Sequence, residues 1–250
     1  MPLLKTVAVT LKSRKWGDAD RIVTFYTKDL GKIRGVARGA RRLKSRMGAA
    51  LEPLAICDLN LFEKSGDSLY RVSQVDLIEP FVCFRSNLTL MVAAARMTNV
   101  VAAVTPDGDP DPQLFETLER GLYAMQSSDD PALTALLFQI RLLGQIGFRP
   151  QTDHCAACGT TRVILDPQFS PASGGVVCAP CAMRQRFPCF PLSRGSVAFL
   201  QQALRLAPEM VTRLKAAGQV RCEVEDAIEG YVTVVAGKRI PPVDFLVQPV

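Results

Sequence analysis

The chain has 250 residues, 48% apolar and 22% charged, a balance that indicates a globular protein with a buried core and excludes a disordered tail. Its formal net charge of +6 is unevenly placed, because residues 1–50 carry 13 Lys and Arg against 3 Asp and Glu, which leaves 17 against 21 for the remainder. Charge confined to one module favours a nucleic-acid surface over a generally basic protein.

The opening MPLLKTVAVTLKSRK lacks a secretory pattern, and no run approaches the ~18 apolar residues of a spanning helix. The expectation is a cytoplasmic, nucleoid-associated protein that uses no membrane. In that compartment eight cysteines point to metal or buried thiols before disulfides.

Residues 1–80 read as short strands separated by turns: Leu4 to Lys12, Arg21 to Thr27, Lys32 to Arg38, Ala55 to Phe62 and Leu69 to Asp76. This pattern predicts a small β-barrel of the OB-fold type, with an SH3-like barrel as the competing arrangement. From Lys32 to Arg38 charged and small residues alternate with the period of a strand. Lys32, Arg34 and Arg38 then share a face with Val36, and Ile33, Gly35 and Ala37 point into a crowded interior. Arg41, Arg42, Lys44 and Arg46 continue the basic face as a loop with no carboxylate among them, so the stretch needs solvent or a polyanion beside it. Lys12, Arg14 and Lys15 precede Trp16, which either stacks on a base or closes one end of the barrel. Asp18 and Asp20 are expected to cap a turn or to pair with Arg14 and Arg21.

From residue 81 the period becomes helical. Residues 81–150 predict the first part of a helical bundle: a helix from Asn87 to Val104 capped by Ser86 or Asn87, a second from Gln113 to Met125, and a third opened by Pro131 and stopped by Gly147. Asp107, Asp109 and Asp111 lack the Gly and Glu positions of a calcium loop and read as a connection between helices.

Residues 151–190 carry Cys155-Ala156-Ala157-Cys158 and Cys178-Ala179-Pro180-Cys181, 19 residues apart. Two such knuckles predict a zinc ribbon with Cys155, Cys158, Cys178 and Cys181 as ligands, and with Val163 to Leu165 and Gly174 to Val177 as its hairpin. Four thiolates leave no open position for water, so one structural Zn2+ per chain is expected. His154 is the only histidine, which argues against hydrolase chemistry. Cys57, Cys83, Cys189 and Cys222 are expected to be buried thiols, Cys189 alone competing as a ligand. Residues 191–250 predict the second part of the bundle, with helices from Ser193 to Arg205, Pro208 to Lys215 and Cys222 to Val235.

The order of modules resembles the bacterial recombination mediator family RecO. The residues that carry the resemblance are Trp16-Gly17-Asp18-Ala19-Asp20-Arg21-Ile22-Val23, Thr27-Lys28-Asp29-Leu30-Gly31-Lys32, and Val36-Ala37-Arg38-Gly39-Ala40-Arg41-Arg42 with Lys44-Ser45-Arg46. Many relatives have Glu where Ala19 stands, Tyr231 to Leu246 matches only loosely, and some relatives lack the ribbon cysteines. The resemblance implies a multidomain α+β protein without catalytic activity. It implies binding of single- and double-stranded DNA, annealing of complementary strands, and action with RecR in loading RecA onto DNA coated with single-strand-binding protein. The acidic C-terminal tail of single-strand-binding protein is an implied partner of the helical domain, and RecA and RecF are implied indirectly. Mapped onto this chain, Lys32, Arg34, Arg38, Arg41, Arg42, Lys44 and Arg46 would hold phosphates, with Lys12, Arg14 and Trp16 as a second tier.

Two other classes compete. A zinc-ribbon DNA-binding regulator would need a helix presenting side chains to base edges, whereas the cations here lie on strands and loops, which suits backbone contact. A nuclease or nucleotidyl enzyme would need a carboxylate set or phosphate loop. Gly31 to Gly39 lacks the G-K-[ST] ending of the latter.

Overall fold

The computed structural model describes residues 2–42, 45, 47–63, 69–161, 164–206 and 214–241. It divides into two compact units, Met1–Pro131 with the chain from Pro241 onward, and Ala132–Ile240.

In the first unit β1 (Leu3–Trp16), β2 (Asp20–Thr27), β3 (Gly31–Ala37), β4 (Ile56–Phe62) and β5 (Tyr70–Glu79) form a closed barrel in the order β1-β2-β3-β5-β4. All neighbours are antiparallel except β3 and β5, which pair in parallel. This is the OB-like ring that the strand pattern predicts. Its interior is filled by Ala8, Val23, Phe25, Ile33, Ala37, Leu59, Leu61, Val72 and Val75. Gly35 has the role expected of it, since a Cβ there would lie 2.8 Å from Val72 Cγ2.

Short α1 (Val82–Ser86) leads into α2 (Leu88–Val104), and α3 (Pro112–Gln126) follows. Asn87 Oδ1 accepts from the Thr89 and Leu90 N–H groups and Asp111 Oδ1 from Gln113 and Leu114, so each helix begins at a residue whose side chain satisfies its free donors. The connection between α2 and α3 docks on the barrel. Asp107 bridges to Lys32 in parallel, at a part of β3 not paired with β5, and Gly108 N–H donates to Lys32 O at 2.9 Å. Gly31 must be glycine on two counts: its φ is +66°, and a Cβ would lie 2.2 Å from Asp109 O.

The second unit contains α4 (Pro131–Gln145), β6 (Gln168–Ser170), β7 (Gly175–Val177), α5 (Ala179–Ala182), β8 (Phe190–Pro191), α6 (Arg194–Arg205) and α7 (Gly218–Ala236). The ribbon sheet runs β7-β6-β8, so its first strand is Gln168–Ser170. Ile164 and Leu165 are not in a strand, against expectation, and Val163 lies outside the described residues. The sheet takes its apolar cover from a helix: Phe169 packs edge-on against Tyr231 of α7 with ring centroids 5.5 Å apart. The helix expected from Pro208 to Lys215 falls largely outside the described residues. Among the described residues no helix is long and apolar enough to cross a membrane.

Candidate nucleic-acid interface and metal centre

Strand parity places Lys12 and Arg14 of β1 and Arg34 of β3 on one outer face. Ile33, Gly35 and Ala37 are buried, so Arg34 and Val36 point outward. A register shift between Thr10 and Lys12 then sets Lys12 opposite Thr24, Arg14 opposite Ile22 and Trp16 opposite Asp20. Thr24 and Ile22 in turn face Arg34 and Val36. The outcome is a row Lys12–Thr24–Arg34 beside a row Arg14–Ile22–Val36, with Trp16 and Arg38 at the same end of the hairpins. Arg14, Trp16, Arg34 and Arg38 are exposed.

Backbone contacts join the turn after β1 to the loop after β3. Asp20 Oδ1 accepts from Gly39 N–H at 2.8 Å, and Arg41 N–H donates to Ala19 O at 2.9 Å. Arg41 Nη1 reaches Gly17 O and Asp18 O at 3.3 and 3.2 Å. Trp16 and the basic loop therefore form one continuous rim, with Arg41 and Arg42 exposed on it. Trp16 is 56% exposed, so it does not close the barrel. Asp20 holds a backbone N–H, while Arg21 pairs with Glu52 at 3.0 Å. Lys44 and Arg46 lie outside the described residues.

Lys32 differs from the phosphate contact expected of it. Its side chain is 13% exposed, and its ammonium donates to Ala102 O at 2.9 Å and to Thr105 O while standing 3.3 Å from Asp107 Oδ1. These partners use the three donors of an ammonium. They also place a positive charge on the carbonyl end of α2, where a helix favours one. The acidic connection closes this end of the face. Tyr26, opposite Lys32, has its hydroxyl pKa raised by burial and then by the Asp111 and Asp109 carboxylates. Arg34 lies 3.8 Å from Asp107 and its side chain remains 46% exposed. Nothing in the sequence near β3 signals Asp107, which lies far along the chain and reads by itself as part of a loop.

In the second unit the Sγ atoms of Cys155, Cys158, Cys178 and Cys181 all lie within 4.8 Å of one another. Cys178 Sγ is 3.8 Å from Cys155 Sγ and 3.9 Å from Cys158 Sγ. A tetrahedral ion with ~2.3 Å metal–sulfur bonds sets an edge of about 3.8 Å, so the cage has the size of a four-thiolate centre. Burial acts to raise the Cys155 thiol pKa but is outweighed by the N–H groups of Cys178, Cys158 and Ala157, which hold it at about 6. Hydrogen bonding to the sulfurs of Cys178 and Cys158 pushes Cys181 up to about 12. Four close thiols thus resist losing all their protons together unless a cation neutralises them, which fits the donor set to a metal. Neither His154 nor Cys189 belongs to the cluster; Cys189 Sγ contacts Phe187 O at 3.9 Å. Of the other thiols Cys57 is buried, with its pKa raised to about 12 by burial, whereas Cys222 is exposed, contrary to expectation.

Comparison with known proteins places the chain in one family along most of its length. Residues 1–81 match the family described as Recombination protein O N terminal, and residues 85–241 match Recombination protein O C terminal. Among similar curated proteins, the DNA repair protein RecO of Syntrophobacter fumaroxidans is 30% identical over 86% of this chain and 85% of its own length. That of Myxococcus xanthus is 30% identical over 96% of each. That of Desulfitobacterium hafniense is 33% identical over 83% of this chain and 76% of its own.

Proposed function

The chain belongs to the recombination protein O family, and from that premise we propose that it is a DNA-binding recombination mediator in DNA repair. The observation that carries the reading is the outer face of β1 to β3, where Lys12, Arg14, Arg34 and Arg38 flank an exposed Trp16. Arg34, Arg38, Arg41 and Arg42 hold phosphates, joined by Lys44 and Arg46 of the same basic stretch of sequence, while Lys12, Arg14 and Trp16 form the second tier. Lys32 supports this face from below and does not take a phosphate. Cations on strands and loops neutralise the backbone without reading base edges, which suits both single- and double-stranded DNA. A base stacked on Trp16 would turn the remaining edges outward.

Annealing follows from charge neutralisation: two strands whose phosphates are screened approach closely enough for their bases to pair. No bond is made or broken in this reading, and the protein is not an enzyme. The family supports the extension to partners: RecR, the acidic tail of single-strand-binding protein, RecA, and RecF indirectly, at work in the cytoplasm on the nucleoid. The ion of the four-cysteine cage is zinc in this proposal, held by Cys155, Cys158, Cys178 and Cys181 in a closed structural shell.

Binding of a fluorescent single strand against salt tests the reading. If about five phosphates are contacted, the log–log slope lies near −3.5, and Arg38→Ala/Arg41→Ala/Arg42→Ala loses roughly 2 of that magnitude. An unchanged slope in the variant would remove the nucleic acid from this face.

A further inference from the structure

The basic run Lys12-Ser13-Arg14-Lys15 delivers cations to both sides of β1. Lys12 and Arg14 belong to the face already described. Ser13 and Lys15 have the opposite parity and stand across from Val23 and Arg21. On that other side Ser13, Lys15, Arg21, Glu52 and Arg85 line a cleft of about 500 Å³, with Met91 among its apolar residues. The size falls within the ~300–1,000 Å³ of small-ligand sites.

The charges of the cleft are unequal. Glu52 is engaged by Arg21 at 3.0 Å, and Arg21 Nη1 donates to Ser13 Oγ at 3.0 Å, so this guanidinium is fixed in place. Its Nε is buried and has no acceptor. Lys15 and Arg85 are exposed, and no acidic side chain among the described residues pairs with either. Three cations against one occupied carboxylate suit an anion. A phosphodiester supplies the negative charge, and its sugar suits the walls made by Pro53 and Pro80.

We infer that this cleft is a second single-strand site, which holds the backbone of the incoming complementary strand. The inference rests on the mediator reading above and deepens it. The two sides of the β1–β2 hairpin meet at its tip between Trp16 and Asp20. Strands anchored on either side converge there, with their phosphates kept apart by the hairpin itself.

The test uses the full chain and Lys15→Ala/Arg85→Ala, both exposed positions, with a short fluorescent oligothymidine and a complementary pair of labelled strands. The wild type should bind oligothymidine in two phases. The variant should keep the first phase and its salt slope, lose about 1.4 from the slope of the second, and anneal about 10-fold more slowly. Equal annealing and equal phases in variant and wild type would overturn the second site while leaving the barrel face intact. Absence of any strand binding by the wild type would instead overturn the mediator reading, and the cleft with it. Loss of binding to an acidic peptide, with both DNA phases unchanged, would overturn the assignment by giving the cleft to a protein segment.

Discussion

Lys32 of the barrel stands 3.3 Å from Asp107 of the α2–α3 connection, and the same carboxylate lies 3.8 Å from Arg34. One acid thus faces a lysine that holds the fold and an arginine on the proposed DNA face. Lys32→Met removes the donor to Ala102 O and Thr105 O, and it should lower stability by about 2 kcal/mol in chemical denaturation while leaving the salt slope of DNA binding almost unchanged. Asp107→Asn should act the other way, raising single-strand affinity about 3-fold by releasing Arg34, in line with the modest worth of a partly exposed pair. A salt slope cut by Lys32→Met without loss of stability would contradict the assignment of Lys32 to the fold.

Trp16 is the only tryptophan, so it reports on its own contact with DNA. Single-stranded DNA should quench the intrinsic fluorescence, and Trp16→Ala should weaken binding by about 1 to 3 kcal/mol. Because the ring is 56% exposed, the denaturation midpoint should move little. Unquenched emission at saturating DNA would leave Trp16 outside the interface.

Metal content near one equivalent per chain is expected, lost in Cys155→Ser/Cys178→Ser. The loss should expose amides of the ribbon around β6 and β7 to hydrogen exchange. It should leave the DNA salt slope in place, because the barrel lies in the other compact unit. Protection of those amides without metal would contradict a folding role for the ion.

Glu223 of α7 accepts from Ser193 N–H and Ser196 Oγ at 2.6 Å each, and from Gln219 Nε2 at 2.6 Å. Burial opposes its ionisation, but these donors prevail and lower its pKa from 4.5 to about 2. A depressed carboxylate stabilises the fold fully above its unfolded pKa and ceases to do so as pH falls through the folded value. Glu223→Gln should therefore cost about 1 to 2 kcal/mol near neutrality, with the difference from wild type shrinking between pH 4.5 and 2. A difference independent of pH across that window would assign the effect to packing.

Much of the fold is legible in local patterns along the chain. Alternation located every barrel strand to within a few residues because interior and exterior of a barrel exchange at each position. Asn87 and Ser193 marked helix starts because free N–H groups require an acceptor nearby. Cysteine spacing identified the four-cysteine cluster because its thiols come from two tight local turns. Which outward positions stay outward depends on long-range packing. The parity that set Lys32 beside Arg34 could not show that the α2–α3 connection, some 70 residues onward, covers the first and only borders the second. Ile164 and Leu165 have strand-forming side chains, yet Phe169 became the ribbon's inner residue because Tyr231 of a distant helix supplies its apolar cover. Local pattern reports the preference of a segment for a face, and only the packing of remote segments settles whether that face meets water, a helix end or a ligand.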